Sequence, residues 1–196
     1  MKQLFKKIFY CSLLLTPNVA LSNPICDDLW FSRNFYFDRA GYCFSSVLGE
    51  EVFDNTNCTT NDPELSIFEK AIISDIQAQE HRLGCNIKID QRRDLDLEWP
   101  KIRRQLIDQP MRVEFESACI GYRKPNLSLF AGREDTSLEI GQIETGDTIL
   151  FYHATPKPGP KRQTFISGVI REDLSIPIIG WTNTVLREED CEDIAG

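Results

Sequence analysis

The chain is 196 residues long, 41% hydrophobic and 27% charged, with 30 Asp and Glu against 22 Lys and Arg and a net charge of −8. That balance opposes general attraction to nucleic acid or anionic lipid, both of which favour basic surfaces. In so acidic a chain the small basic groups Arg92-Arg93, Arg103-Arg104 and Lys157 to Arg162 read as solvated faces.

The first element is a cleavable signal peptide over residues 1–22. Lys2, Lys6 and Lys7 form a basic start, Ile8 to Leu15 is a short apolar run, and Ala20-Leu21-Ser22 offers small residues at the two positions a signal peptidase reads. Cleavage is expected after Ser22, leaving a periplasmic or secreted chain that begins at Asn23. The apolar run is far below the roughly 18–20 residues of a spanning helix, so no transmembrane segment is expected. Cys26 follows Asn23-Pro24-Ile25, without the leucine and small residue that precede a lipidated cysteine. Removing residues 1–22 takes three lysines and no acid, leaving 19 basic against 30 acidic side chains and a net charge of −11.

Six cysteines remain once Cys11 leaves with the signal: Cys26, Cys43, Cys58, Cys85, Cys119 and Cys191. An even number in an exported chain reads as a disulfide framework, although six cysteines allow about 15 connectivities. Local pairing is expected: Cys26 with Cys43, Cys58 with Cys85, and Cys119 with Cys191. A structural zinc site normally brings a close C-x-x-C pair or paired histidines, and the chain has neither, so no metal is expected.

From Asp27 to about Leu106 the signals are helical. Asp27 or Asp28 is the expected cap of a first helix running to about Ala40, where Gly41 ends it without steric penalty. For the second helix Asp62 is the expected cap and Pro63 the first helical residue, and Leu65, Phe68, Ile72, Ile76 and Leu83 recur at helical spacing until Gly84. A short third helix is expected over Pro100 to Leu106. From about Val113 onward the pattern is that of short strands and turns, including Thr148 to Tyr152 after the Gly146-Asp147 turn and Phe165 to Val169.

The run Leu29-Trp30-Phe31-Ser32-Arg33-Asn34, then Phe37-Asp38-Arg39-Ala40-Gly41-Tyr42, then Phe44, resembles the YARHG domain of secreted bacterial proteins. Arg33, Asn34, Arg39, Gly41, Tyr42 and Phe44 match its signature, whereas Phe37, Asp38 and Ala40 depart from it. The Cys-Asp-Asp-Leu-Trp start and Glu116-Ser117-Ala118-Cys119 are closer to a cysteine-bearing sister family of unknown function. The resemblance implies an extracellular helical module, associated with the cell wall and without established chemistry. On the residues alone, Phe35, Phe37, Tyr42 and Phe44 read as a small core that Arg33 and Arg39 tie to the next loop.

The second half resembles a bacterial SH3-like barrel over residues 120–187. Leu127 to Arg133, Ile140 to Ile143, Thr148 to Tyr152 and Ile179-Gly180-Trp181 carry that resemblance. It implies a groove of exposed aromatics, Tyr122, Phe130, Tyr152 and Trp181, with Arg133 as an anion partner.

Catalytic motifs are absent: there is no H-E-x-x-H, no Gly-rich phosphate loop and no G-x-S-x-G. Glu80-His81 is the one acid–base neighbour pair, His153 sits beside a proline-rich loop, and the acid pairs Glu50-Glu51, Glu114 with Glu116 and Glu188-Glu189 are ordinary in so acidic a chain. The expected fold is α+β, with a small disulfide-stapled helical N-terminal module over 23–109 followed by a small SH3-like β-barrel module over 110–196. The expected function is non-enzymatic binding of a cell-wall component, such as a peptidoglycan peptide, or of another exported protein, with no cofactor. The alternative is a structural accessory protein of an envelope complex with no small ligand.

Overall fold

The computed structural model describes residues 23–157, 159, 162–172 and 177–196; the expected signal peptide and cleavage site lie outside them. Helix α1 spans Pro24–Arg39 and starts earlier than expected. Asn23 caps it by accepting from the Ile25 N–H at 3.0 Å, and Pro24 takes the first helical position. Asp27 and Asp28 are therefore inside the helix, and both are buried. Helix α1 ends at Gly41, whose φ of +79° is left-handed.

Helix α2, Val47–Phe53, was not expected; Ser46 caps it through the Gly49 N–H. Helix α3, Ile67–Arg82, starts at Ser66 rather than at Asp62-Pro63. Ser66 Oγ accepts from Glu69 N–H at 3.1 Å and Glu69 Oε2 from Ser66 N–H at 2.8 Å. This reciprocal box satisfies two donors where a lone aspartate cap satisfies one. A short α4, Pro100–Arg103, follows.

Leu29 and Tyr36 of α1 pack on Ile72, Ile73 and Ile76 of α3. The other side of α1 buries Trp30, Phe31 and Phe35 against Phe44, Leu48 and Phe53. The stripe read from α3 is thus core, as is most of the aromatic run.

The second half forms seven strands: β1 Met111–Ile120, β2 Leu127–Phe130, β3 Glu139–Ile143, β4 Thr148–Ala154, β5 Thr164–Ile170, β6 Ile178–Thr182 and β7 Asp193–Ala195. They make one antiparallel sheet in the order β3-β2-β6-β5-β4-β1-β7. The expected SH3-like barrel is not formed, because the sheet does not close. Strand β7 pairs with the side of β1 that β4 leaves open, and Cys119–Cys191 pins that edge. One face of the sheet buries Leu129, Ile149, Ile166 and Val169; on the other, Phe165, Ile179 and Trp181 pack under Leu106 and the half-buried Ile102. The α4 segment therefore belongs to the core of the sheet, although it precedes residue 110.

Two of the three expected disulfides are corrected. Cys26 joins Cys85 and Cys43 joins Cys58, in place of Cys26–Cys43 and Cys58–Cys85, while Cys119 joins Cys191. The start of α1 lies beside the end of α3, and this brings Cys26 and Cys85 to a Cα separation of 5.4 Å.

Candidate functional site

Each of the three residues that follow Ile25 ties α1 to a segment that sequence reading did not assign to it. Cys26 is bonded to Cys85, and Asp27 pairs with Arg93 and accepts from the Asp96 N–H at 3.0 Å. Asp28 meets Arg103 of α4 at 2.6 Å and His153 of β4 at 3.2 Å. Ser32, one turn on, accepts from Arg103 Nη2 at 2.7 Å, and Gln109 accepts from Arg103 Nε at 2.9 Å. The one hint of this in the sequence is a pair of adjacent aspartates inside an otherwise apolar helical stretch.

Asp28, His153 and Ser167 form a hydrogen-bonded chain. His153 Nδ1 lies 3.1 Å from Ser167 Oγ, its Nε2 faces both Asp28 at 3.2 Å and Arg103 Nη1 at 3.1 Å, and Tyr152 N–H donates to Ser167 Oγ at 2.9 Å. Burial pushes the His153 pKa down to about 4 against the pull of Asp28, so the ring is neutral near pH 7. Burial also works against ionisation of Asp28, yet Arg103 and His153 outweigh it and hold the carboxyl well below the usual carboxylate range. The order of groups is that of an acid–base–nucleophile triad, but Ser167 is 1% exposed and both partners are buried, so no substrate reaches the hydroxyl. The cluster is a polar seam between α1, α4 and the sheet.

The C-terminal groove is not formed. Tyr122, Tyr152, Trp181 and Arg133 are buried, and Phe130 is half-buried beneath the Arg162 guanidinium. Arg133 donates from Nε to the Arg162 carbonyl and from Nη1 to the Pro156 carbonyl, both at 3.1 Å, and lies over Trp181. Tyr122 and Trp181 belong to opposite faces of the sheet, so these residues share no surface. Aromatic composition identified core here, not a binding surface.

The N-terminal motif residues do converge on an open feature, a cleft of about 470 Å³. Trp30, Arg33 and Asn34 form its α1 wall, Tyr42 and Phe44 its second wall, and Glu80 with Asn86, Ile87 and Ile89 its third. Arg33 Nε donates to Glu80 at 2.9 and 3.2 Å, with the two side chains 21% and 15% exposed. Glu80 is thereby spent on an ion pair, and His81 beside it on α3 is exposed and outside the cleft. Asn34 donates to the Trp30 carbonyl at 2.8 Å.

The second wall is rigid for local reasons. Tyr42 stands edge-on to Phe44 with centroids 4.9 Å apart, and Phe44 stacks on Phe53 at 4.8 Å. The Asn55 side chain clamps Phe44, accepting from its N–H at 2.8 Å and donating to its carbonyl at 2.7 Å. Cys43–Cys58 and the Cys43 N–H bond to the Thr60 carbonyl hold the preceding residue. Of the remaining motif residues, Gly41 makes the turn and Arg39 lies outside the cleft. Arg39 donates to the Ile107 carbonyl at 2.9 Å, tying α1 to the segment ahead of β1.

Residues 84–196 match a domain of unknown function, DUF4453, and residues 8–81 match the YARHG domain. The chain belongs to the DUF4453 family. No curated protein and no solved structure matches it. The DUF4453 match begins just ahead of Cys85, so the Cys26–Cys85 bridge staples it to the YARHG match. The cleft takes walls from both, since Asn86, Ile87 and Ile89 lie on the DUF4453 side and the other walls on the YARHG side. Three disulfides, the YARHG match and the absence of any membrane-spanning helix among the described residues fit an extracellular location.

Proposed function

We propose that this DUF4453 protein is an exported, non-enzymatic binding module of the cell envelope. Its ligand site is the cleft between α1, the 42–46 segment and residues 85–89, and its ligand is a peptide of the cell wall or of another exported protein. The observation that carries this is the convergence of Arg33, Asn34, Tyr42 and Phe44, separated in sequence, on one cleft whose walls two disulfides hold. Preorganised walls reduce the ordering cost of binding. The non-enzymatic character is supported by Glu80 being engaged by Arg33 and by the burial of the Asp28–His153–Ser167 chain.

Calorimetric titration with soluble peptides released from purified cell wall tests this. Saturable binding that Tyr42→Ala and Arg33→Gln abolish is expected; heats that neither variant changes rule the cleft out. A second reading, a structural accessory protein, is favoured by the exposed Phe115, Val185 and Ile194 around a hollow of about 440 Å³ at the β1–β7 edge. Stoichiometric co-purification of a partner that Phe115→Ser removes supports it, and a protein recovered only as a monomer without partner counts against it.

A further inference from the structure

Cys85, Asn86, Ile87 and Ile89 line the cleft, and the 85–89 segment carries backbone groups that the fold leaves unused. Cys85 N–H donates to the Glu80 carbonyl and the Ile89 carbonyl accepts from Leu48 N–H. The N–H groups of Asn86, Ile87, Lys88 and Ile89, and the carbonyls of Asn86, Ile87 and Lys88, have no protein partner among the described residues. Burial alternates over 85–88, with Cys85 and Ile87 half-buried and Asn86 and Lys88 exposed, Ile89 beyond them is exposed, and Ile87 packs on the aromatic cluster. Such an alternating, unpaired segment is an edge onto which another strand can be laid.

Across the cleft the α1 wall presents further unused groups. Trp30 Nε1–H has no acceptor and Asn34 Oδ1 no donor among the described residues, and neither atom is sealed from solvent. Arg33 spends only Nε on Glu80, and its Nη1 and Nη2 donors have no acceptor among the described residues. The only charged side chains of the lining are Arg33 and Glu80, which neutralise one another. A ligand carboxylate would lie beside Glu80 and a ligand ammonium beside Arg33, so neither charge is favoured.

Resting on the cleft being the ligand site, we infer that it takes an uncharged, extended stretch of peptide main chain. The peptide pairs along residues 86–89, its carbonyls accept from Trp30 Nε1–H and the Arg33 Nη groups, and an N–H donates to Asn34 Oδ1. Main-chain pairing supplies the affinity, and the apolar surfaces of Tyr42 and Ile87 receive small apolar side chains.

The test is an NMR titration of the ¹⁵N-labelled mature protein, read at the Trp30 indole and the amides of 86–89. The probes are acetyl-Ala-Val-Ala-amide, the same peptide N-methylated at valine, N,N′-diacetylchitobiose, and a soluble cell-wall peptide digest. Saturable shifts with the tripeptide, weakened about tenfold by N-methylation, are expected. Equal binding of the N-methylated form, or shifts from the sugar in place of the peptide, overturns main-chain pairing. If the digest moves the Trp30 indole and the tripeptide does not, the inference fails and the cleft survives as the site. If the digest moves nothing either, both fall.

Discussion

Asp28 and Arg103, 75 residues apart, meet at 2.6 Å with side chains only 4% and 2% exposed. Helix α1 is thereby locked to the segment that roofs the sheet, and His153 completes the lock from β4. Removing one partner leaves a buried charge uncompensated, so Asp28→Asn and Arg103→Met should each cost about 3–5 kcal/mol in urea unfolding. An apolar double variant, Asp28→Leu with Arg103→Met, should cost clearly less than the two singles summed. Additive costs would show that the pair is not coupled.

His153 gives the stability a pH signature. Its folded pKa of about 4 lies below the ordinary 6.5, so the unfolded chain takes up a proton first as pH falls. The contribution is whole above pH 6.5, declines between 6.5 and about 4, and is constant below that, with a limit of about 3 kcal/mol. Asp28, held below its ordinary 3.8, adds a separate loss that begins as pH falls through that value. Chemical denaturation at pH 7, 5.5 and 4.5 should show the decline, and His153→Gln should flatten it. An unchanged slope in that variant would place the proton uptake elsewhere.

The disulfide pattern predicts unequal costs. Cys26–Cys85 spans 59 residues and Cys43–Cys58 spans 15, so chain entropy assigns about 4 and about 3 kcal/mol respectively. Paired Cys→Ala variants should therefore rank in that order. Non-reducing peptide mapping should find the Cys26 peptide linked to that of Cys85; linkage to Cys43 instead would contradict the packing of α1 on α3.

Gly41 is a steric requirement. At φ +79° an added Cβ would stand 2.4 Å from Thr59 Oγ1, so Gly41→Ala should cost at least about 1–2 kcal/mol. The same change should weaken ligand binding, because Tyr42 and Phe44 follow directly. A variant of wild-type midpoint would mean the turn relaxes at no cost.

Much of the helical half was legible because its signals are local. The Ile72–Ile76 spacing and Gly41 marked α3 and the end of α1, whereas Arg33, Tyr42 and Phe44 were read as core and ties and not as walls of a cleft. Choices among equivalent local signals were not legible. Ser66 won over Asp62 as a cap because Glu69 lies three residues on, and seven-residue α2 offers too few turns for a periodic stripe. Apart from Cys119–Cys191, contacts of long separation left little trace: the adjacent aspartates hinted at a buried tie, but nothing local pointed to His153, 125 residues from Asp28. Tyr122, Tyr152 and Trp181 were misread as a surface because composition reports aromaticity and not which face of a sheet is covered.

Hydrogen-exchange mass spectrometry of the mature protein, with and without a saturating cell-wall peptide digest, tests the claim that the motif cleft is the ligand site. Protection confined to residues 42–46 and 86–89, lost in Tyr42→Ala, is the predicted result. Protection at the β1–β7 edge around Phe115, or none anywhere, would contradict it.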